Sequence, residues 1–138
     1  IDTLDGITKT GFSDDADIPF WDKAAVSTAL LAGIIQGYAV GDGEIIFSPA
    51  ADITAAEAMV MLNNALRISD VSASLTISDD ALPAWAAQAA SNLSACSIVN
   101  GSLSYPDSVT RAEAAEMLCS ALELIDARGG SSLLSWAK

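Results

Sequence analysis

The chain has 138 residues, 51% of them hydrophobic, and carries 18 Asp plus Glu against six Lys plus Arg, a net charge of −12. That length supports one domain with a sizeable core, and the composition is too apolar for disorder. A surface so negative repels phosphate backbones, which argues against nucleic acid and anionic membranes, and no apolar run reaches membrane-spanning length.

Residues 1–11 alternate only weakly and read as an extended segment. From Phe12 the chain runs "FSDDADIPFWDKAAVSTALLAGIIQGY". Pro19 suits a first helical position, so a helix is expected over 19–32, ending near Gly33. The longest uncharged stretch, Ala24 to Gly41, is broken by Ser27, Thr28, Gly33, Gln36 and Gly37, the pattern of a buried helix followed by a turn. Within the turn, Gly37 suits a positive φ angle. "GDGEIIF", from Gly41, offers only Asp42 and Glu44, too few ligands for a 12-residue calcium loop. Thr54 and Glu57 then form a capping box that opens a helix over 54–67, with Met59, Leu62 and Leu66 as its core stripe.

Residues 69–76, with Ser69, Ser72 and Ser74, read as a linker. A second copy follows from Ile77, "ISDDALPAWAAQAASNLSACSIVNGS". Pro83 opens a helix over 82–95, and Ile98-Val99-Asn100-Gly101 make the turn. Thr110 and Glu113 cap a helix over 110–126, with Ala115, Leu118 and Leu122 as the matching stripe. The tail, residues 128–138, places Leu133, Leu134 and Trp136 after two glycines and suits a short terminal helix.

The two copies, 12–68 and 77–127, align closely. Pro19/Pro83, Trp21/Trp85 and Gly37/Gly101 share an offset of 64 residues, and Thr54/Thr110, Glu57/Glu113, Leu62/Leu118 and Leu66/Leu122 share one of 56. The offset shrinks between Gly101 and Pro106, as a deletion in a surface loop does. Each copy is a helix–loop–helix unit that cannot bury its stripe alone. The expected fold class is therefore all-α: tandem units packed as a helical bundle, with little or no sheet.

The sequence gives little to catalysis. It has no His, no Gly-x-Ser-x-Gly, and no base beside either Cys, so no catalytic residue, metal site or cofactor is assigned. Cys96 and Cys119 lack metal-ligand spacing; they either pair as a disulfide or serve as small core side chains. The chain opens without Met and reads as part of something longer.

Phe12-x-Asp14, Trp21, Gly33-Ile34-Ile35-Gln36-Gly37-Tyr38, Phe47-Ser48-Pro49 and Ile53-Thr54-Ala55-Ala56-Glu57 stand in that order in the first copy. Asp79, Trp85, Ile98-Val99-Asn100-Gly101, Pro106 and Val109-Thr110-Arg111-Ala112-Glu113 answer them in the second. The set resembles S-layer homology repeats over residues 12 to 127. The resemblance implies a pseudo-threefold, mostly helical arrangement normally built from three repeats. It also implies a non-catalytic anchoring module on the bacterial cell surface, binding secondary cell-wall polysaccharide, often through a pyruvylated amino sugar. The ligand-binding positions it implies are Arg111, Asp14, Asp79, Trp21, Trp85, Gly37 and Gly101. This chain has two repeats, Ala55 where the motif has Arg, Ser97 for the first turn glycine, and no Tyr after Gly101. A third repeat, the termini or another molecule, including a further copy in a homo-oligomer, is left to cover the remaining faces. The alternative is a degenerate scaffold that serves as a structural or protein-interaction domain.

The chemistry of Arg111 fits the implied ligand. A capping box leaves it at the first helical position, where unpaired N–H groups already favour anions, and a guanidinium grips a carboxylate with two parallel bonds. The bland alternative is an ion pair with Glu116 or Asp107. Trp21 and Trp85 either anchor the core or stack on a sugar ring. Asp14 and Asp79 either orient an arginine or cap a turn. Because Thr54 and Glu57 already present a helix end, Ala55→Arg is expected to create a second clamp.

Overall fold

The structure, a computed structural model, describes residue 4 and residues 6–68, 81–99 and 104–128. The extended reading of residues 1–11 finds no helix or strand over the described positions of that segment. The linker, Asp79, Gly101 and the proposed terminal helix lie outside the described residues.

Two compact units divide the chain between Ala51 and Asp52. In the first, a 3-10 turn at Phe20–Asp22 leads into α1, Lys23–Leu31. An antiparallel hairpin follows, β1 Tyr38–Gly41 and β2 Glu44–Ile46. Gly41 pairs with Glu44, so Asp42 and Gly43 alone make the turn, with φ of 49° and 78°. Positive φ at both central residues is the type I′ geometry, whose twist matches that of the flanking strands. Phe12, Ile18 and Val26 form this unit's core, with Leu30, Ile35 and Phe47 packed against it.

The second unit holds α2 Ala55–Leu66, α3 Ala87–Ala95 after a 3-10 turn at Ala84–Ala86, and α4 Arg111–Ala127. Its core joins Met59 and Leu66 of α2, Ala90 and Leu93 of α3, Met117, Ala121 and Ile125 of α4, and Ile98, Val99 and Tyr105 between them. The second helix of the first copy thus packs with the second copy. A polar chain reaches into this core from the surface: the exposed Gln88 donates from Nε2 to Oδ1 of the buried Asn92 at 3.0 Å, and Asn92 Nδ2 donates to Oδ1 of the half-buried Asn63 at 3.0 Å. Satisfied polar pairs of this kind fix helix register, because any slip strands a buried amide.

Three expectations need correction. The fold is not all-α, since four helices stand beside a two-stranded sheet among the described residues. That sheet holds the stretch set aside above as a calcium loop, and its Asp42-Gly43, between the apolar runs 38–40 and 45–47, is the signal for a hairpin. Both first helices start as 3-10 turns, with Pro19 and Pro83 just outside.

The third correction concerns the stripe of the second copy. Met59 and Leu66 are buried and Leu62 half-buried, as expected. Their counterparts Ala115, Leu118 and Leu122 are exposed, the two leucines at 57% and 59%. α4 buries Met117, Ala121 and Ile125 instead, an i, i+4, i+8 row on another face. The helix carries two apolar rows, and periodicity could not say which one meets the core.

The repeat survives in backbone detail. At the end of α1, Gly33 N–H donates to Leu30 C=O and Ile34 N–H to Ala29 C=O; at the end of α3, Ser97 donates to Ser94 and Ile98 to Leu93. These are paired Schellman closures, which satisfy carbonyls that a helix end leaves open. Ser97 adopts φ 58° where Gly33 adopts φ 73°, so a side chain is held in the left-handed region to keep the turn.

Candidate functional site

Both capping boxes form. The hydroxyl of Thr54 accepts from Glu57 N–H and that of Thr110 from Glu113 N–H, each at 3.2 Å, while each glutamate accepts from its threonine's N–H at 2.8 Å. The helix N-termini they open meet different fates. At α2, Ala55 N–H donates to Asp107 C=O at 2.9 Å and Ala56 N–H to Tyr105 C=O at 3.1 Å. Val109 N–H donates to Ile53 C=O, and Thr54 bridges Ser108. A strand-like segment of the second copy therefore closes that helix end, and Ala55 is only 1% exposed.

At α4 the corresponding residues, Arg111 and Ala112, are exposed. Among the described residues no carbonyl covers their N–H groups and no carboxylate pairs with Arg111, neither Glu116 nor Asp107. A 17-residue helix ends here with free donors and a free guanidinium side by side. Such an end presents partial positive charge, and the planar fork adds bidentate geometry suited to a carboxylate. The expectation for Ala55→Arg is corrected accordingly. A guanidinium at Ala55 would have to sit beneath residues 105–109, where an unpaired charge is costly.

The other nominated residues fall into separate places. Asp14 holds the first unit together: its carboxylate accepts from Phe47 N–H at 2.8 Å and Ser48 N–H at 2.7 Å, fixing a turn in which Ser48 has φ 60°. Gly37 has φ 78° and is crowded by Phe12 and by the hairpin. Trp21 and Trp85 are 78% and 61% exposed, so neither indole anchors a core. Asp14, Trp21 and Gly37 belong to the first unit; Trp85 and Arg111 belong to the second. Cys96 is half-buried and Cys119 exposed, and both are free thiols.

One cluster escaped the sequence reading. The Asp15 carboxylate receives Lys23 Nζ at 2.7 Å, Thr10 N–H at 2.6 Å and the Thr10 hydroxyl at 2.8 Å. Those bonds, the one from Lys23 foremost, hold its pKa down from 3.8 to about 2. A lowered folded-state pKa contributes stability that is fully present above the unfolded value and is lost as pH falls through the folded one. Asp15→Asn should therefore lower the melting temperature near neutral pH, where it leaves the buried Lys23 ammonium unpaired. The deficit should shrink as pH drops from about 4 to about 2. Melting curves across that range check this, and a deficit independent of pH would refute the assignment. The signal was available in sequence only as one acid among many.

Comparison with protein-family models, curated proteins and solved structures returns no match for this chain. No helix among the described residues is long and apolar enough to cross a membrane.

Proposed function

We propose that this chain is a non-catalytic anchoring module of the bacterial cell surface that binds pyruvylated secondary cell-wall polysaccharide at the N-terminal end of α4. The reading rests on the ordered motifs shared with S-layer homology repeats. The observation that carries it is the exposed Arg111, unpaired among the described residues, beside helix N–H groups that no described carbonyl covers. A pyruvate ketal presents a small carboxylate on a sugar, which matches that donor set. Buried Lys23 is engaged by Asp15, so it does not compete for the role.

Titration calorimetry with a pyruvylated amino sugar tests the proposal on wild type, Arg111→Ala and Arg111→Lys. A charge-assisted bidentate contact is worth about 1.5–3 kcal/mol, so Arg111→Ala should weaken binding roughly 10- to 100-fold. Its melting temperature should barely move, because the exposed side chain makes no ion pair among the described residues. Lys should rescue in part, since it keeps the charge but loses the fork. Equal affinity in wild type and Arg111→Ala would overturn the assignment.

The second reading is a scaffold without sugar affinity. What favours it is Ala55: the first repeat has lost its arginine, and its helix end is closed by the second repeat's own backbone. Failure of wild type to bind any wall polymer would select this reading.

A further inference from the structure

The exposed face of α4 has an internal symmetry. Arg111, Ala115, Leu118, Cys119, Leu122 and Asp126 are linked by steps of three and four (111/115, 115/118, 115/119, 118/122, 119/122 and 122/126), so they share one side of the helix. All six are exposed, and neither Arg111 nor Asp126 joins an ion pair among the described residues. In α2 the matching residues Met59, Leu62 and Leu66 turn toward a core. In α4 the row faces outward.

We propose that this face pairs with the same face of a second copy, the two α4 helices running antiparallel about a twofold axis. Placing that axis midway between Leu118 and Cys119 sets Arg111 of each copy opposite Asp126 of the other. It also sets Leu122 over Ala115, and Leu118 over Cys119. Each large side chain meets a small one, and each end carries an opposite-charge pair. Self-complementarity of this kind is what an isologous twofold contact requires. It also separates a second copy from an unrelated apolar partner, for which the two end charges have no reason to balance. One helix pair buries less than the roughly 1,000 Å² expected of a durable interface, so the dimer is weak and exchanges rapidly. The net charge of −12 per chain opposes association, and moderate salt relieves that repulsion.

Arg111 also serves the proposed sugar site, so the deciding arms of the test are Leu118, Leu122 and Cys119, which that site does not use. Sedimentation velocity of the 138-residue chain at about 0.15 M salt should show a dimer fraction that rises from about 10 μM to about 1 mM. Leu118→Asp and Leu122→Asp should remain monomeric with unchanged melting temperatures. A short bifunctional thiol reagent should join Cys119 to Cys119, because both thiols lie beside the axis. Arg111→Glu should weaken association about tenfold by setting like charges together at both ends. Adding Asp126→Arg should restore it, which no purely structural role for either residue predicts. A wild type that stays monomeric throughout, or a dimer that survives both leucine changes, would overturn the proposal. So would a fall in melting temperature of a monomeric Leu118→Asp, which would mean that the chain's own residues cover the face.

Discussion

Leu66→Ala should destabilise the protein by about 2–5 kcal/mol, whereas Leu118→Ala should change its stability by less than about 0.5 kcal/mol. Leu66 is fully buried, in a core built by α2, α3 and α4. Removing its isobutyl end forfeits transfer free energy and leaves a cavity that three helices cannot close together. Leu118 lies on the matching stripe of the second copy, as the counterpart of Leu62, but stands 57% exposed. Truncating it removes little from a core, and Ala is as good a helix former as Leu. Chemical denaturation of the two variants separates these outcomes. Comparable losses at both positions would mean that the exposed row of α4 is covered when the protein is folded in solution.

Gly37→Ala should cost about 2–4 kcal/mol, through two effects that add. The residue sits at φ 78°, where an L side chain costs roughly 1–2 kcal/mol. A Cβ there would also lie 2.5 Å from a Phe12 ring carbon, 2.7 Å from the Ile46 carbonyl oxygen and 2.8 Å from an Ile45 methyl. The phenyl ring can tilt away, but the Ile46 carbonyl belongs to the hairpin and cannot move without disturbing the strand pairing. Gly33→Ala is the control: φ is similar at 73°, and nothing lies within 4 Å of the added carbon. Gly33→Ala should therefore show the conformational cost alone. Denaturation midpoints that coincide for the two variants would show that Gly37 is needed for its φ and not for the space it leaves.

The duplication, the capping boxes and the left-handed turn at Gly37 were all legible in the sequence, because each depends on residues within a few positions of one another. Thr54 needs only Glu57 three residues on, and Thr110 needs only Glu113. Gly37 is required by its own backbone angle. The hairpin is equally local, in Asp42-Gly43 between the apolar runs 38–40 and 45–47, but the shortened loop of the second copy has no counterpart of it, so the repeat does not signal it.

Other features were decided only when the chain folded, since they depend on residues far apart in sequence. α4 carries one apolar row ending in Ile125 and another ending in Leu122, and a hydrophobic period records both without ranking them. Packing against α2 and α3 selected the first. The fate of the two helix starts is the same kind of fact. Thr-x-x-Glu presents open N–H groups in both copies, but the carbonyls of Tyr105 and Asp107 reach Ala55 and Ala56 across some fifty residues of chain and leave Arg111 uncovered. The sequence by itself determined that the phrase occurs twice, with an arginine in one copy. Tertiary structure decided which helix end is closed by backbone and which still offers its donors to an anion, because only a folded chain can bring a distant carbonyl to a helix end.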